Sequence, residues 1–354
     1  MSRKIAILPG DGIGPEVMEA ALAVLSRAEE VFNFKLEREE ALVGGCAFDK
    51  TGSPLPEETK KICLGANAVL LGSIGGPQWD NLPPEKTPEL GGLLALRKML
   101  NLYANLRPGV IYKELQGMSP LSGRVLKGKV DILIVRELAH GIYFGEPKAL
   151  EHNRGLDTMV YTREQVQRIA IQGFEAAMRR GKKLCSVDKA NVLSSSKLWR
   201  RVVLEAANRY PEVELSHMYV DNAAMQLMLN PLQFDVILTS NLFGDILSDE
   251  AAAICGSLGM LPSASLGERI HLFEPSGGSA PDIAGKGIAN PIAQILSMAM
   301  MLEISFNLTK PAAAIRNAVD DCVRTGIRTM DIAEAGSRAV GTMEMAREII
   351  RRIA

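Results

Sequence analysis

Short apolar runs alternate along most of the chain with longer segments that have the hydrophobic period of an α-helix. "KIAIL" precedes "GPEVMEAALAVLSRAEEVF", and "KLCSVD" precedes "SSSKLWRRVVLEAANRY". The same succession recurs where "AVLLG" precedes "LLALRKML" and where "SHMYV" precedes "NAAMQLML". Strands that alternate with helices are typical of a largely parallel sheet covered by helices. The pattern therefore predicts an α/β fold.

The middle of the chain breaks this alternation. "VDILIVREL", "GIYFGEPKAL" and "LDTMVYTRE" are extended runs with no helical segment between them. Such runs favour antiparallel pairing, and we expect an antiparallel element near residues 137–160 that could form an arm reaching a second subunit. Residues 74–92 and 274–291 are rich in glycine, proline and serine and are predicted as loops, which at this length are usually functional.

Composition narrows the class of protein. A chain of 354 residues, 47% of them hydrophobic, usually forms two domains. The net charge of -1 gives no reason to expect binding to nucleic acid or to an anionic membrane. The longest apolar stretch, "PIAQILSMAMMLEISFNL", is interrupted by Gln294 and Glu303 and falls short of the roughly 20 apolar residues of a membrane helix. We expect it to be a buried helix.

The cysteines indicate a reducing compartment. They are widely scattered, odd in number and without C-x-x-C spacing, which argues against a disulfide framework and a thiolate zinc site; they are Cys46, Cys63, Cys185, Cys255 and Cys322. The apolar run in "MSRKIAILPGDG" is too short for a signal peptide. We expect a cytoplasmic protein. The histidines, His140, His152, His217 and His271, show no ligand spacing, and none is assigned a role.

The first glycine loop, "LPGDGIGPE", does not have the spacing of a Rossmann dinucleotide motif. Gly10, Gly12 and Gly14 are two residues apart, and Pro15 stands where a third glycine of that motif is required. Pro15 and Glu16 suit the first turn of a helix. A tight turn between strand and helix is therefore about as well supported as a contact with a cofactor.

Three arginines have settings that suit anion binding. Arg97 follows Leu93 and Leu94 by four and three residues, so an α-helix would place an anion clamp beside a branched apolar surface. Arg107 and Arg136 are predicted at the ends of apolar strands, where a guanidinium can bind a carboxylate through two hydrogen bonds. A single such arginine is more often a salt-bridge partner, but three make a small polyanionic ligand plausible.

Polar side chains also follow several predicted strands. Lys189, Asp221 and Asp245 come at or shortly after a strand's carboxyl end, where ligands bind in open α/β sheets. Each alone could be an ordinary charge at a helix start. Tyr143, in "HGIYFGEP", could be a half-buried tyrosine or a proton donor.

Asp245 and Asp249 are four residues apart in the apolar stretch "SNLFGDILSDEAA". Like charges at this spacing on a helix repel by about 0.2 to 0.5 kcal/mol. Placement in the first turns of a helix would make them favourable through the helix dipole. The alternative is a divalent cation such as Mg²⁺, which takes oxygen ligands.

The second glycine loop, "EPSGGSAPDIAGKGIANP", is a better cofactor candidate than the first. Backbone N–H groups at Gly277, Gly278 and Ser279 could meet phosphate oxygens. Asp282 could accept hydrogen bonds from ribose hydroxyls and repel a 2'-phosphate, which favours NAD over NADP. Composition alone also allows a plain loop.

Together these stretches resemble the isocitrate/isopropylmalate dehydrogenase family of β-decarboxylating dehydrogenases. The resemblance runs over nearly the whole chain and is carried by "GDGIGPE", "LLALRK", "NLRPG", "VRELAHGIYFG", "VDKANVL", "YVDNAAMQL", "NLFGDILSDEAAAICGSLGM" and "GGSAPDIAGKGIANP". It implies NAD-dependent oxidation of a 2-hydroxy acid followed by decarboxylation, with Mg²⁺ or Mn²⁺ bound. It also implies a fold that is not Rossmann, with a cofactor domain of residues 1–102 and 256–354 and a substrate, metal and dimerisation domain of residues 103–255.

The resemblance also implies roles for single residues. Asp245 and Asp249, with Asp221 contributed by the partner subunit of a homodimer, would hold the metal, and Asp221 would also line the substrate site. Arg97, Arg107 and Arg136 would bind the substrate carboxylates, Lys189 from the partner would relay the hydroxyl proton, and Tyr143 would protonate the enolate carbon. The residues implied for the cofactor are Gly278, Ser279, Ala280, Pro281, Asp282, Ile283 and Asn290.

Two positions depart from the family pattern. Many relatives have Val-His-Gly where this chain has Ser276, Gly277 and Gly278, so a histidine that could stack on adenine is missing. Glu89, implied for the rim shared by nicotinamide and substrate, lies one residue further from Arg97 than in some relatives.

The side chains beside Arg97 predict the substrate. Burial of a branched alkyl group against Leu93 and Leu94 is favourable, whereas a third carboxylate there would lose its solvation without a partner. We therefore expect 3-isopropylmalate, an intermediate of leucine synthesis, with D-malate or tartrate as the nearest alternative. A non-catalytic metabolite or metal sensor and a metal-dependent hydrolase are rival classes, and the retained Lys189 and Tyr143 and the second glycine loop count against them.

Overall fold

The computed structural model describes residues 3–128, 130–334 and 336–354. Contacts between Cα atoms divide the chain into two compact units. Unit 1 comprises the described residues up to Leu102 together with Ser257–Ala354, and unit 2 comprises Tyr103–Gly256. Unit 1 is therefore assembled from two separate stretches of chain.

Unit 1 alternates strands with helices. Its strands are β1 (Lys4–Gly10), β2 (Glu37–Glu40), β3 (Ala68–Ser73), β11 (Pro262–Leu266) and β12 (His271–Pro275). Its α-helices are α1 (Gly14–Phe32), α2 (Gly45–Thr51), α3 (Glu57–Gly65), α4 (Ala95–Met99), α9 (Ile292–Phe306), α10 (Thr309–Arg324) and α11 (Thr342–Arg352).

The strands of unit 1 lie in the order β2-β1-β3-β12-β11. All neighbours in this row are parallel except β11 and β12, which are antiparallel. The central strand, β3, is buried along its whole length, as its apolar sequence "AVLLGS" requires. Helix α9 packs against β3, β11 and β12, and most of its residues are buried. The expectation that this apolar stretch forms a buried helix is confirmed.

Unit 2 contains a second row of strands and one separate hairpin. Its strands are β4 (Ala104–Ile111), β5 (Val130–Glu137), β6 (Ala149–Glu151), β7 (Arg154–Leu156), β8 (Lys183–Asp188), β9 (Glu214–Tyr219) and β10 (Val236–Thr239). Its α-helices are α5 (Arg163–Met178), α6 (Ser194–Ala207), α7 (Val220–Leu229) and α8 (Asn241–Ile254).

The row in unit 2 runs β4-β5-β10-β8-β9. Strands β5, β10, β8 and β9 are parallel to their neighbours, and β4 pairs antiparallel with β5. The carboxyl ends of the four parallel strands therefore lie at one edge, which brings together residues from four separate parts of the sequence. The predicted α/β fold with a largely parallel sheet is confirmed.

The antiparallel element of the middle segment is present but smaller than predicted. Strands β6 and β7 form an antiparallel hairpin inside residues 137–160. The run "VDILIVREL" instead belongs to the main row as β5, because β10 offers it a parallel partner. "GIYFGEPKAL" is strand only at its end, with a short 3-10 turn at Gly141–Tyr143, and in "LDTMVYTRE" helix α5 already begins at Arg163.

Across residues 3–128, 130–334 and 336–354, no helix combines the length and the apolar sequence that crossing a bilayer would need.

Candidate active site and cofactor cavity

Asp245 accepts hydrogen bonds from two side chains that other elements bring to α8. Arg136, the next-to-last residue of β5, donates from Nη1 to Oδ1 of Asp245, and Tyr143 Oη donates to Oδ2 over 2.8 Å. The Arg136 guanidinium lies 5.9 Å from the centre of the Tyr143 ring, within cation–π range. The strand end, the 3-10 turn and the helix therefore meet at one carboxylate.

Asn241, the first residue of α8, fixes the Arg136 guanidinium. Its Oδ1 accepts from Nε of Arg136 at 3.1 Å and from Nη2 at 2.8 Å. Its Nδ2 donates to the backbone oxygens of Leu138 and His140. Arg136 is only 3% exposed, so this planar, bidentate grip holds it in one orientation. Sequence reasoning missed Asn241, although it lies two residues after the end of β10, close to the kind of strand-end position that singled out Lys189 after β8.

Arg107 binds the second aspartate of α8. Its Nη1 donates to Ser248 Oγ at 2.7 Å and to Asp249 Oδ1 at 3.2 Å, and its Nε donates to Asn105 Oδ1 at 2.7 Å. The prediction that Arg107 lies at a strand end is wrong. Strand β4 continues through Pro108 because it pairs with β5 from Ala104 to Ile111.

The two guanidinium groups offset the repulsion between Asp245 and Asp249. Arg136 neutralises Asp245, and Arg107 lies 3.2 Å from Asp249 and 3.9 Å from Asp245. The spacing of the two aspartates therefore has an explanation within the chain itself. Their side chains remain 34% and 69% exposed, one helical turn apart. This donor set fits a hard divalent cation that keeps part of its hydration shell.

The environment of Tyr143 keeps its phenol protonated. Burial, followed by the hydrogen bond to the Asp245 carboxylate, raises the pKa of Tyr143 above its ordinary value. The side chain is still 37% exposed, so its hydroxyl can reach a bound molecule. Both alternatives for Tyr143, a half-buried tyrosine and a proton donor, therefore agree with its position.

Lys189 and Asp221 form a separate ion pair in unit 2. Lys189 follows β8, Asp221 lies in the first turn of α7, and the lysine Nζ donates to Asp221 Oδ1. This hydrogen bond lowers the pKa of Asp221. In the part of the chain that the structure describes, no group of three or more acidic, histidine or cysteine side chains is placed to hold a metal. One chain therefore does not bring Asp221 together with Asp245 and Asp249.

Arg97 in unit 1 is bonded to a carboxylate of its own chain. Its Nη2 donates to Glu274 Oε1 at 2.6 Å, while its buried Nε has no hydrogen-bond partner. Sequence reasoning missed Glu274. Leu93 and Leu94 are partly exposed and end a π-helical segment, Pro88–Leu94, that directly precedes α4. In a π-helix the hydrogen bonds run to the fifth residue, so the turn before Arg97 is wider than the α-helical turn that the sequence predicted, although Leu94 itself has α-helical φ and ψ angles.

Asp11, in the first glycine loop, holds three loops of unit 1 together. Its carboxylate accepts hydrogen bonds from the backbone N–H groups of Gly45, Cys46 and Gly75 at 2.8 to 2.9 Å, and the residue is 3% exposed. Glu89 packs against one of the same loops, since a Cβ at Gly75 would lie 2.2 Å from Glu89 Oε1. No local sequence signal marks Asp11 for this structural role.

The two glycine loops are in direct contact. The Ile13 N–H donates to the Ser279 carbonyl at 2.8 Å, and a Cβ at Gly12 would lie 2.0 Å from that oxygen. Gly12 also has a φ of +57°, which L-residues rarely adopt. The first loop is therefore the strand-to-helix turn that one alternative predicted, and it also supports the second loop.

A cavity of about 400 Å³ opens beside these loops within unit 1. Four of the residues implied for the cofactor line it, namely Gly278, Ala280, Ile283 and Asn290, whereas Ser279, Pro281 and Asp282 do not. Its apolar walls come from Ile13, Val17, Leu258, Ile288 and Met330, and Asp331 and Gln294 add polar groups. Sequence reasoning missed Leu258, Gln294, Met330 and Asp331, which lie outside the glycine loops.

The cavity fits the adenosine half of a dinucleotide. Its volume is in the range of small-molecule pockets, and its walls are apolar with few polar groups. Gly277 and Gly278 leave the backbone open on one side, since a Cβ at Gly278 would meet nothing within 4 Å. Leu258, Ile288 and Met330 are exposed apolar side chains on the lining.

The chain matches known proteins over almost its full length. The family model described as isocitrate/isopropylmalate dehydrogenase matches residues 4–349. A 3-isopropylmalate dehydrogenase of Thermotoga maritima is 60% identical over 99% of each chain, and one of Geobacter sulfurreducens is 57% identical over 98% of each chain.

Solved structures also resemble this chain over almost its full length. An isocitrate dehydrogenase of Methylococcus capsulatus has a TM-score of 0.86 at 34% identity, over 100% of this chain and 99% of the other. A β-decarboxylating dehydrogenase of Thermococcus kodakarensis has a TM-score of 0.82 at 41% identity, over 100% of this chain and 96% of the other.

Proposed function

The chain belongs to the isocitrate/isopropylmalate dehydrogenase family, and from this premise we propose that it converts (2R,3S)-3-isopropylmalate to 4-methyl-2-oxopentanoate through 2-isopropyl-3-oxosuccinate. It is an NAD-dependent, decarboxylating oxidoreductase of leucine biosynthesis. The relatives at 60% and 57% identity are named for 3-isopropylmalate, which does not favour the D-malate or tartrate alternative. The observation in the structure that carries the proposal is the meeting of Arg136 and Tyr143 at the Asp245 carboxylate.

Three arginines bind the two carboxylates of the substrate in this proposal. Arg107 and Arg136 are held in fixed orientations by Asn105, Ser248 and Asn241, so little side-chain freedom is lost when a substrate binds. Arg97 donates from Nη2 to Glu274, which orients its guanidinium in unit 1. Arginine suits this role because its planar fork matches the geometry of a carboxylate.

Two groups move protons. Lys189, contributed by the partner subunit, takes the proton of the substrate hydroxyl, and Tyr143 returns a proton to the carbon that has lost carbon dioxide. The hydrogen bond from Tyr143 Oη to Asp245 supports this role because it holds a protonated phenol beside the carboxylate proposed to bind the cation. Removal of either residue is expected to affect kcat more than substrate binding.

Asp245, Asp249 and the partner's copy of Asp221 hold a divalent cation, Mg²⁺ or Mn²⁺. When bound, the cation stabilises the negative charge that develops on the substrate's C2 oxygen. The exposed carboxylates on α8 fit this role, and the ion pair of Lys189 with Asp221 delivers the base and the third ligand together. Carboxylates are already ionised at neutral pH, so no proton must be lost before the cation binds.

The hydride acceptor is NAD, bound by the cavity and the second glycine loop of unit 1. Gly278, Ala280, Ile283 and Asn290 contact the adenosine half, and Leu258, Ile288 and Met330 supply the apolar surface that the missing histidine would otherwise give. Ser279 and Pro281 shape the turn around Asp282. Asp282 is exposed there and favours NAD over NADP by repelling a 2'-phosphate. Glu89 lies at the rim shared by nicotinamide and substrate.

We propose a homodimer with shared sites. Several large apolar side chains of unit 2 are exposed on α7, on α8 and at the tip of the β6–β7 hairpin: Met225, Leu229, Ile246 and Leu150, the last 93% exposed. Exposed apolar side chains concentrated on neighbouring elements mark interaction sites. The hairpin then serves as the dimerisation arm, unit 1 as the cofactor domain, and unit 2 as the substrate and metal domain. The cysteines are free thiols, which agrees with a cytoplasmic location because thiols stay reduced there.

Leu93 and Leu94 recognise the alkyl branch on C3 of the substrate. Both leucines are partly exposed in the ligand-free chain, so an isopropyl group can cover apolar surface there. The π-helical turn that carries them is a type of distortion frequent at functional sites.

The proposal is tested by following NADH absorbance with 3-isopropylmalate, D-malate and isocitrate in parallel, with and without EDTA. We expect 3-isopropylmalate to give the highest kcat/KM and EDTA to abolish the reaction. A higher kcat/KM for D-malate would replace the substrate assignment, and absence of reduction with all three acids would leave the sensor or hydrolase classes.

A further inference from the structure

A single arginine joins the two strand ends that carry Lys189 and Asp221. Arg200 projects from α6 and donates to both oxygens of the Asp188 carboxylate, from Nε at 2.8 Å and from Nη2 at 2.9 Å. The same guanidinium lies 5.1 Å from the centre of the Tyr219 ring. Its two partners come from adjacent strands, β8 and β9.

The pairing register of β8 and β9 places this contact next to both Lys189 and Asp221. Asp188 and Tyr219 are direct partners at the carboxyl ends of β8 and β9. Asp188 immediately precedes Lys189, and Tyr219 is the N-cap of α7, two residues before Asp221. The guanidinium therefore contacts the last residue of each strand, one residue before Lys189 and two residues before Asp221. Lys189 and Asp221 are themselves joined through Nζ and Oδ1.

Asp188 also controls the backbone that presents Lys189. The carboxylate is 2% exposed, and its Oδ1 accepts a hydrogen bond from the Ala190 N–H at 2.8 Å. The Lys189 carbonyl in turn accepts from the N–H groups of Val192 and Leu193. An aspartate that bonds the backbone two residues on fixes a local turn, so the orientation of the Asp188 carboxylate sets the direction in which Lys189 leaves the strand.

We propose that Arg200 is a positioning residue that holds Lys189 and Asp221 in the geometry at which they enter the partner's reaction centre. This inference rests on the proposed function for the roles of Lys189 and Asp221. Arginine is required because its planar fork can bond both oxygens of Asp188 while its face stacks on Tyr219, a combination that the point charge of a lysine cannot reproduce. Misplacement of reacting groups by about 1 Å can cost about 100-fold in rate.

Arg200→Lys is the decisive variant because it keeps the positive charge beside the buried Asp188. We expect kcat with 3-isopropylmalate to fall about 10- to 100-fold and the affinity for Mn²⁺, measured by calorimetry, to fall as well. The KM for NAD should not change, because the cofactor cavity lies in unit 1. Arg201→Lys makes the same substitution at the next, exposed position of α6 and should leave all of these quantities unchanged.

The stacking partner is tested separately. Tyr219→Leu removes the aromatic face and should lower kcat about three- to fivefold, whereas Tyr219→Phe keeps the face and should restore most of the rate. Wild-type kcat and Mn²⁺ affinity in Arg200→Lys would overturn the proposal. It would also be overturned if Arg200→Lys lowered the unfolding midpoint and raised the KM for NAD in proportion to the loss of kcat, since the role would then be purely structural.

The proposed function and the positioning role of Arg200 can be tested independently. If the unaltered protein reduced NAD with none of the three acids, the proposed function would fail. The comparison of Mn²⁺ affinity between Arg200→Lys and Arg201→Lys would still decide whether Arg200 positions Asp221. Equal affinities in the two variants would reject that role, and a weaker affinity in Arg200→Lys alone would retain it.

Discussion

The cavity of unit 1 and the charged cluster of unit 2 are formed by different kinds of groups. The charged cluster consists of Arg107, Arg136, Asp245 and Asp249. The cavity is formed by apolar side chains and by the backbone of two glycine-rich loops that bond each other through Ile13 and Ser279. The cluster is formed by side chains, with Arg107 and Arg136 bonded to Asp249 and Asp245 and oriented by neutral amides and hydroxyls. The shape of the cavity therefore depends on the path of the backbone, whereas the arrangement of the cluster depends on charge.

This difference predicts how each region responds to substitution. In the cluster, removal of a charge leaves a partner guanidinium with an uncompensated charge in a largely buried position, so its effects should be large and should fall on the chemical step. In the cavity, individual side chains contribute apolar contact, and the most sensitive positions should be those where a Cβ would separate the two loops. Substitutions there should change cofactor affinity more than kcat.

Asp245→Asn should have the largest effect. It keeps an acceptor for Tyr143 but removes the charge that faces Arg136 and the cation, and kcat should fall about 100- to 1,000-fold. The concentration of Mg²⁺ needed for half-maximal rate should rise. Steady-state kinetics over a Mg²⁺ series measures both, with Asp321→Asn as the matched control, because the Asp321 carboxylate also pairs with an arginine, Arg324, but lies on α10 in unit 1. A variant with wild-type rates at low Mg²⁺ would place the cation elsewhere.

Gly12→Ala should weaken NAD binding about 10-fold with a smaller change in kcat, because the added Cβ would lie 2.0 Å from the Ser279 carbonyl and push the loops apart. Titration of NADH fluorescence gives the Kd without turnover. Gly52→Ala is the control, since Gly52 also has a positive φ, +77°, but a Cβ there meets nothing within 4 Å. Equal Kd values for the two variants would mean that loop contact does not shape the cavity.

The double variant Leu93→Ser with Leu94→Ser should reduce kcat/KM for 3-isopropylmalate about 10-fold more than for D-malate, because only the former presents an alkyl branch. Parallel assays with the two acids give the ratio. Equal losses with both acids would remove these leucines from substrate selection.

Asp282→Asn should have the smallest effect. Loss of a charged acceptor for ribose hydroxyls should weaken NAD about three- to tenfold, while discrimination against NADP should decrease. The ratio of kcat/KM values for the two cofactors measures this. An unchanged ratio would mean that the exposed Asp282 does not contact the ribose hydroxyls.

The sequence marked some of the polar residues that meet in unit 2 but missed Asn241. Arg136 and Asp245 were identified because they lie near the carboxyl ends of parallel strands, and the sheet order places those ends at one edge. The same rule identified Lys189 and Asp221. It failed for Arg107, whose strand runs on through Pro108, because only the antiparallel partner β5 shows where β4 ends.

Unit 1 was less predictable. Leu258 and Met330 line the cavity from stretches remote from the glycine loops, and no local pattern connects them to it. The ion pair of Arg97 with Glu274 joins residues 177 positions apart. Asp11 accepts three backbone N–H groups from two other loops, which depends on how those loops fold and not on the residues beside Asp11.

The central claim is that the charged cluster on α8 becomes a reaction centre only with Lys189 and Asp221 from a second chain. Mixing refolded Lys189→Ala and Asp245→Asn subunits tests it most directly, because a mixed dimer has one site with both original residues. Two nearly inactive proteins should then yield about a quarter of the wild-type activity after random reassociation. A mixture as inactive as its parents, with mixed dimers shown to be present, would contradict the claim.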